Sequence, residues 1–328
     1  MEFATQPARR TIGTFNGDME ELAALMSRSY GENREQPLRY TADFLRSAFD
    51  YPGATLELAP AIYRNGRLVA FIAGFPRNTT LLGNFRKLLT VSFLSVAPED
   101  KRLGFGALIW GELIKRARGL GYDGTINFCV EGDDMNRQML ALARAFRQPT
   151  ARIFGIHYMA RFLRGDETAD VGEDPACDVV SILLEKSRAL AAAVPLTRSW
   201  SPEEAGWQCL RRQGALTVGL CAETRRGMLS GYAIETSGAT PMLCVLLDDI
   251  VWGDLASAER EQLAKLFLHR SAQAGAKMVI TPVLGYADTQ PLASAGFRKT
   301  RRLLHPYLTL WNAVPGSESI SAMYMDVF

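Results

Sequence analysis

Residues 91–107 read VSFLSVAPEDKRLGFGA. An apolar, β-branched-rich run ends at Val96, Pro98 follows, and the turn Lys101-Arg102-Leu103-Gly104-Phe105-Gly106 leads into a helical pattern. That order places main-chain N–H groups at a helix N-terminus, where anions bind. Glycine at 104 and 106 lets a diphosphate approach the backbone, and aligned peptide dipoles favour its charge. Lys101 and Arg102 add positive charge, with Arg102 able to make forked hydrogen bonds. The helix after the turn has Trp110, Leu113, Ile114 and Ala117 at the spacing of a buried face, and Gly119 and Gly121 supply its stop. The chemistry these residue types favour is retention of a diphosphate-bearing ligand, although a ligand-free strand-to-helix turn also accepts a glycine pair.

The elements around the turn follow a repeated plan. In the first half, Arg10 to Phe15 reads as a strand, and Asp18 to Tyr30 and Tyr40 to Phe49 read as helices. Pro60 to Tyr63 and Leu68 to Phe75 flank Asn65-Gly66, a strong hairpin signal. Leu88 to Val96 is the strand entering the turn, Gly124 to Val130 another strand, Met135 to Phe146 a helix, and Arg152 to Leu163 β-rich. The second half repeats this faintly: a helix at Pro202 to Arg212, strands at Leu216 to Glu223, Met228 to Thr236 and Leu243 to Val251, a helix at Ala256 to Ala274, and a strand at Met278 to Val283. A short helix at Tyr286 to Ala295 and a closing segment at Phe297 to Trp311 complete it. The expected organisation is 1–164, a linker at 165–178, and a degenerate second unit at 179–328.

The Lys101 to Gly106 turn resembles the pyrophosphate loop of the GNAT superfamily of N-acetyltransferases: Gln or Arg, two residues, Gly, one residue, Gly or Ala. Lys101 stands in the first position and keeps its charge; Gly296-Phe297 matches a further family feature. The resemblance implies an α/β (α+β) fold of two GNAT-like domains, each a central mixed, largely antiparallel twisted sheet flanked by helices. It implies acetyl-CoA, or another acyl-CoA, as cofactor, contacted by Leu94, Val96, Lys101, Arg102, Leu103, Gly104, Phe105, Gly106 and Ala107, with Asn136 bonding the pantetheine arm. The strand at Leu88 to Val96 would splay from Gly124 to Val130 to admit that arm. In the second half Trp252-Gly253-Asp254-Leu255 lacks the glycine pair, and Asp248, Asp249 and Asp254 would repel a diphosphate. The acyl-CoA site is therefore assigned to the first half.

Amide formation from a thioester needs a polarised carbonyl, a neutral amine and a departing thiolate. The N–H at Leu94 is placed to polarise the carbonyl. Ser95, or Ser92, is placed to hold a water, against the ordinary reading of a locally bonded strand serine. Glu131, after Phe128, Cys129 and Val130, is the candidate base, and equally a carboxylate suited to the next helix's dipole. Ala143 stands where the family has a tyrosine acid; Tyr158 is the alternative donor, against plain strand packing. Tyr30, Asn33, Arg77 and Arg86 are candidate substrate contacts on loops, the two arginines for a carboxylate or phosphate. The apolar close Ser319 to Phe328, SISAMYMDVF, is expected to dock, with Phe328 either packing or offering a terminal carboxylate.

Composition narrows the partners. The chain has 328 residues, 48% of them hydrophobic, with a net charge of +2, which gives no electrostatic case for nucleic acid or an anionic membrane. No apolar run has the length of a membrane span, and the start lacks a signal core. The five cysteines are scattered without a CxxC pair, and with three histidines they offer no metal site. The expectation is a reduced, cytoplasmic protein, monomer or homodimer, that acetylates a small-molecule amine by direct attack. Alternatives are a non-catalytic acyl-CoA-binding module and an acyltransferase using longer or carrier-protein thioesters.

Overall fold

Residues 10–31, 38–164, 167, 177–222, 224–237, 240–313, 316 and 319–327 are described by a computed structural model. β1 (Arg10–Thr14) leads to α1 (Met19–Gly31), whose start is fixed where the Asp18 carboxylate accepts the Glu21 N–H at 2.9 Å. α2 (Ala42–Phe49) is capped by the Thr41 hydroxyl. β2 (Pro60–Arg64) and β3 (Arg67–Leu81) join at Asn65 and Gly66, with φ of 53° and 78°, the conformation a two-residue hairpin needs. β4 (Asn84–Val96) stays paired with β3 as far as Leu81 and Asn84, so Arg77 and Arg86 lie on strands and not on the loops expected of them, with only Leu82 and Gly83 forming the turn. The turn Pro98–Leu103, α3 (Phe105–Gly119), β5 (Gly124–Val130), α4 (Asp134–Ala145), β6 (Thr150–Arg152) and β7 (Ile156–Phe162) complete the first half.

The second half opens with α5 (Val179–Ala193), a helix beyond those expected from the sequence, and β8 (Leu196–Arg198). α6 (Pro202–Gly206) begins with a Ser201–Glu204 capping box and runs into a π-helical turn at Trp207–Arg211. β9 (Ala215–Ala222), β10 (Arg225–Glu235), β11 (Leu243–Val251), α7 (Ser257–Gln273), β12 (Met278–Pro282), α8 (Gln290–Ser294), β13 (Arg298–Leu310) and β14 (Met323–Tyr324) follow.

Among the described residues the fourteen strands form one mixed, mostly antiparallel sheet whose main path is β1-β2-β3-β4-β5-β13-β7-β12-β11-β10-β9, with β6 beside β13 and β8 joining β3 to β14. The order is nearly palindromic about β13 and β7, and each of those strands lies in the other half's sheet. β13 pairs with β5, and β7 pairs with β12. The sheet therefore runs across the 165–178 division that the sequence suggests. β13 is buried continuously from Leu304 to Leu310, as a strand covered on both faces must be. Pro306 lies within it, and its missing N–H falls where β6 ends and β7 has yet to begin, so no ladder bond is lost. α1, α2 and α3 cover the first half's core around Phe71, Leu89 and Leu113, and α7 covers the second around Leu247, Leu263 and Phe267.

The closing segment docks: Met323, Tyr324 and Met325 are at most 1% exposed, and β14 pairs with β8. Arg77 is not the substrate contact expected of it, because Asp326 engages it. Arg77 Nε donates to that carboxylate at 2.9 Å, and Arg198 Nη1 stands 2.7 Å from it, all three side chains being buried. Arg198 also stacks 3.3 Å from the Trp200 ring centroid and donates to the Tyr51 hydroxyl, which in turn donates to Glu204. Asp248 and Asp249 are likewise interior: Arg212 donates to Asp248, and Tyr324 and Gln208 donate to Asp249. They face no surface anion, contrary to the repulsion expected. Cys177 and Cys221 form a disulfide that ties the start of α5 to β9, correcting the reading of every cysteine as reduced. Among the described residues no helix is long and apolar enough to cross a membrane.

Two predictions test this architecture. A Cβ at Gly124 would meet the Thr309 carbonyl oxygen at 2.0 Å. Gly124→Ala is therefore expected to cost about 1–3 kcal/mol in urea unfolding by pushing β5 from β13. Burial would raise the Asp326 pKa, but Arg198 and Arg77 outweigh burial and hold it well below the usual carboxylate range. A folded pKa below the unfolded one gives stability that is complete above about pH 4 and is lost as pH falls toward the lower value. Asp326→Asn is expected to lose about 3–5 kcal/mol at neutral pH by leaving buried arginines unpaired. It should lose less in acid, and an unfolding series across pH checks the convergence.

Candidate active site

β4 and β5 run parallel and pair only at Leu88 with Gly124, Leu89 with Thr125 and Thr90 with Ile126. Beyond those rungs they part. β4 bulges there as well: Phe71 faces Ser95 and Ala73 faces Ser92, leaving Phe93 and Leu94 together opposite Ile72. Phe93 takes φ of 63°, a strained value for an aromatic residue, and its ring is held edge-on by Tyr40 at 5.5 Å and Phe75 at 5.7 Å. The Tyr30 hydroxyl donates to the Leu94 carbonyl at 2.8 Å.

The parted strands border a half-open cleft of about 190 Å³. Of the residues that line it, Val91, Trp110, Asn127 and Cys129 are buried and Leu94, Val130, Asp133 and Met135 are partly exposed. Tyr158 from β7, Leu304 from β13 and Val327 from the docked tail close the far face. A larger cavity of about 540 Å³ shares Tyr30, Leu94, Asp133 and Met135 with it and extends to Val96, Lys101, Gly104, Gly106 and Ala107 on one wall and Arg137 and Gln138 on the other. A third, of about 270 Å³, lies between α1 and α2 beyond Tyr30 and Tyr40, with a mixed lining that includes Glu20, Ser27, Arg39 and Thr41.

The glycine turn has the form its residues imply. Gly104 takes φ of 74° and a Cβ there would meet nothing within 4 Å, leaving room in front of the main chain. α3 begins at the next residue, so its N-terminus faces the larger cavity. The buried Asp100 pairs with Arg64 and anchors the turn. These residues fit a diphosphate: an open glycine cradle, a helix N-terminus and cations from two elements.

The structure gathers Tyr30, Leu94, Val96, Lys101, Gly104, Gly106, Ala107 and Tyr158 around the cavities and leaves other expected residues out. Arg102 and Leu103 are exposed beside the larger cavity without lining it, and Phe105 is 3% exposed and belongs to the core. Asn136 is engaged by β13, accepting from the Tyr307 hydroxyl at 2.8 Å. Ser95 is buried and donates to the Phe93 carbonyl, so Ser92, which lines the cavity, is the serine in reach. Glu131 lines neither cavity; its half-exposed carboxylate stands 3.8 Å from His305 Nε2. Arg86 is on the surface, 3.9 Å from Asp123. Asn33 and Phe328 lie outside the described residues. Asp133, Met135, Arg137 and Val327 were not singled out as site residues. For the first three, the start of the helix after β5 was the available signal. Among the described residues no group of three or more His, Cys, Asp and Glu is placed to hold a metal ion.

Comparison with known proteins bears on this geometry. Residues 13–118 match the family model described as Myristoyl-CoA:protein N-myristoyltransferase, N-terminal domain. A glycylpeptide N-tetradecanoyltransferase of Eremothecium gossypii is 27% identical over 112 residues, 33% of this chain. The match spans only 25% of that relative's length. Among solved structures, Saccharomyces cerevisiae N-myristoyltransferase with bound myristoyl-CoA is similar with a TM-score of 0.72 at 14% identity, covering 95% of this chain and 86% of that one. A GCN5-related N-acetyltransferase from Anabaena variabilis is similar at a TM-score of 0.54 and 11% identity, covering 91% and 72%. The mixed, mostly antiparallel α/β fold is the one these GNAT-fold structures have.

Proposed function

We propose that this chain is an acyl-CoA-dependent N-acyltransferase whose donor lies along the parted strands β4 and β5. The observation that carries the reading is the continuity of the two cavities through Leu94, which joins a diphosphate cradle at Gly104 and Gly106 to a cleft lined in good part by apolar side chains. In this reading the CoA diphosphate rests on the turn, with Lys101 and Arg137 at either wall, and the pantetheine arm follows Val96 to Leu94. The thioester carbonyl meets the main-chain N–H groups of the Phe93–Leu94 bulge, where developing negative charge is stabilised. The amine nitrogen attacks the carbonyl carbon, the C–N bond forms, the C–S bond breaks, and the proton lost by nitrogen is balanced by one gained at sulfur. Tyr158, which lines the cavity, is assigned as the hydroxyl that gives that proton, its phenolate oxygen taking the nitrogen's proton in turn.

The acceptor enters past Tyr30 and Tyr40 from the mixed-polarity cavity between α1 and α2, an approach that suits an amine carried on a polar chain. The likeness to a glycylpeptide N-tetradecanoyltransferase supports a peptide N-terminus as that amine. Acetyl-CoA and a small-molecule amine, expected from sequence, have no such support; an acyl group longer than acetyl has the N-myristoyltransferase likeness behind it.

The test is release of CoA thiol from a panel of acyl-CoA thioesters, with and without a glycine-initiated peptide or a small primary amine. Release that depends on the amine, faster with the peptide, is expected. Gly104→Glu, which sets an anion in the cradle and a side chain at positive φ, is expected to reduce it at least tenfold while leaving the fold intact by circular dichroism. Absence of amine-dependent release with every thioester would overturn the reading.

A further inference from the structure

Resting on the acyl-CoA reading, we propose that Asp326 is a positioning residue for acyl transfer: gripped by Arg77 and Arg198, it holds the tail where Val327 shuts the back of the gap to water. The cleft is lined from both faces of the sheet. Val91, Trp110 and Cys129 belong to the core under α1 and α3, whereas Leu304, Tyr158 and Val327 belong to a separate core. Cys129 of β5 packs in the first core and its neighbours Phe128 and Val130 in the second, and successive side chains of a strand point to opposite faces. The second core therefore lies behind the sheet, and the gap between the parted strands passes from front to back. Among the described residues no α-helix contributes to that second core; the tail covers it, through Ile320, Met323, Met325 and Val327.

Strand pairing along the tail stops at Tyr324, opposite Thr197 of β8. Met325 and Val327 beyond it are held by apolar contact, which resists separation but is non-directional and does not fix their place along the face. Asp326, between them, supplies the directional tie. Arg77 Nε donates to its Oδ1 at 2.9 Å and Arg77 Nη2 donates to its Oδ2, a fork that fixes the plane of the carboxylate as well as its place. Arg198 Nη1 stands 2.7 Å from Oδ1. The anchor is itself fixed: the Arg77 guanidinium lies 4.2 Å from the Tyr51 ring centroid, and Nη1 donates to the Pro76 carbonyl at 2.7 Å. Arg77 is opposite Leu88, where the pairing of β4 with β5 begins, so the anchor stands on the part of the sheet that does not open. Val327 is one residue from the anchored carboxylate. With the tail in place, an acyl group at the Phe93–Leu94 bulge meets the amine in front and a closed wall behind. With the tail displaced, water reaches the carbonyl carbon from the back. Its oxygen forms the new C–O bond, the C–S bond breaks, a proton passes from water to sulfur, and a carboxylic acid leaves instead of an amide.

The experiment incubates the full chain with tetradecanoyl-CoA and a glycine-initiated peptide and measures amide and free acid separately, each variant being held below its own thermal midpoint. Asp326→Asn keeps the size of the side chain and removes its charge. Arg77→Met removes one cation and leaves Arg198 in place; it decides the matter alone if Asp326→Asn does not fold. Asp326→Asn is expected to lower amide formation about a hundredfold, the cost of a misplacement of about 1 Å. The ratio of acid to amide is expected to rise about tenfold or more, because the back of the gap now admits water. Arg77→Met is expected to move that ratio in the same direction by less. The rise in thermal midpoint produced by CoA itself is expected to stay the same, since no tail residue lines the cavity at the diphosphate cradle. A folded variant whose acid-to-amide ratio equals that of the unmodified protein would overturn the role given to Asp326. So would loss of the CoA-induced rise in step with amide formation, the mark of a general loss of structure. Absence of amide formation by the unmodified protein, with this or any other acyl-CoA, would overturn the acyltransferase reading and this inference with it.

Discussion

Everything at the candidate site depends on hydrogen bonds that β4 and β5 do not make to each other. Parallel strands that pair for three rungs and then diverge would ordinarily cost the sheet its cohesion. Here each strand remains anchored on its outer side, β4 to β3 and β5 to β13. The gap therefore has rigid walls without having a floor of its own. The bulge at Phe93 and Leu94 belongs to the same economy. It takes two residues out of the β3 ladder where the strands open, and the aromatic packing of Phe93 against Tyr40 and Phe75 maintains a backbone angle that would otherwise relax.

The second half shows what happens when the same opening is filled. β11 and β12 also run parallel, pair at Cys244, Val245 and Leu246, and then part. Beyond that point the Tyr286 hydroxyl accepts the Ile250 N–H at 2.9 Å, and Tyr324 from the docked tail packs 4.8 Å from the Tyr286 ring. Asp248 and Asp249 are satisfied by Arg212, Gln208 and Tyr324. A buried ionic cluster of this kind is a weak source of net stability, because desolvation offsets much of the attraction. Its effect is positional: Asp326, gripped by Arg77 and Arg198, fixes the tail so that Val327 completes the wall of the open gap. One gap is plugged by aromatic and charged side chains, and the plug's last residues border the other.

What the sequence made legible was local. Asn65-Gly66, the strand entering the turn, Gly104 with Gly106 and the amphipathic face of α3 are all encoded within a few residues, and the structure has each of them. The repeat of the plan in the second half was visible from the order of elements. What escaped was set by distant partners. Arg77 reads as a loop cation until Asp326 packs onto it. Glu131 reads as a cleft base because its strand ends there, yet its side chain turns toward His305, on a strand absent from a single-unit picture. The exchange of β7 and β13 leaves little trace in composition, because a buried strand looks the same in either sheet. Pro306 sits within a central strand, and the β6–β7 break that accommodates it is itself a product of that pairing.

The exchanged strands also order events in time. As the chain emerges during synthesis, β1 to β5 and the glycine turn are complete while β5 still presents an open, apolar edge; the strand that covers it follows only after residue 297. Pairings of such long sequence separation form late and leave edges exposed meanwhile. The diphosphate cradle can thus assemble on a half-made molecule, but the walls contributed by Leu304, Tyr158 and Val327 cannot. A nascent chain would hold a site able to grip the charged end of a ligand before it has anywhere to place the reactive end, so competence for chemistry waits on residues 298–327.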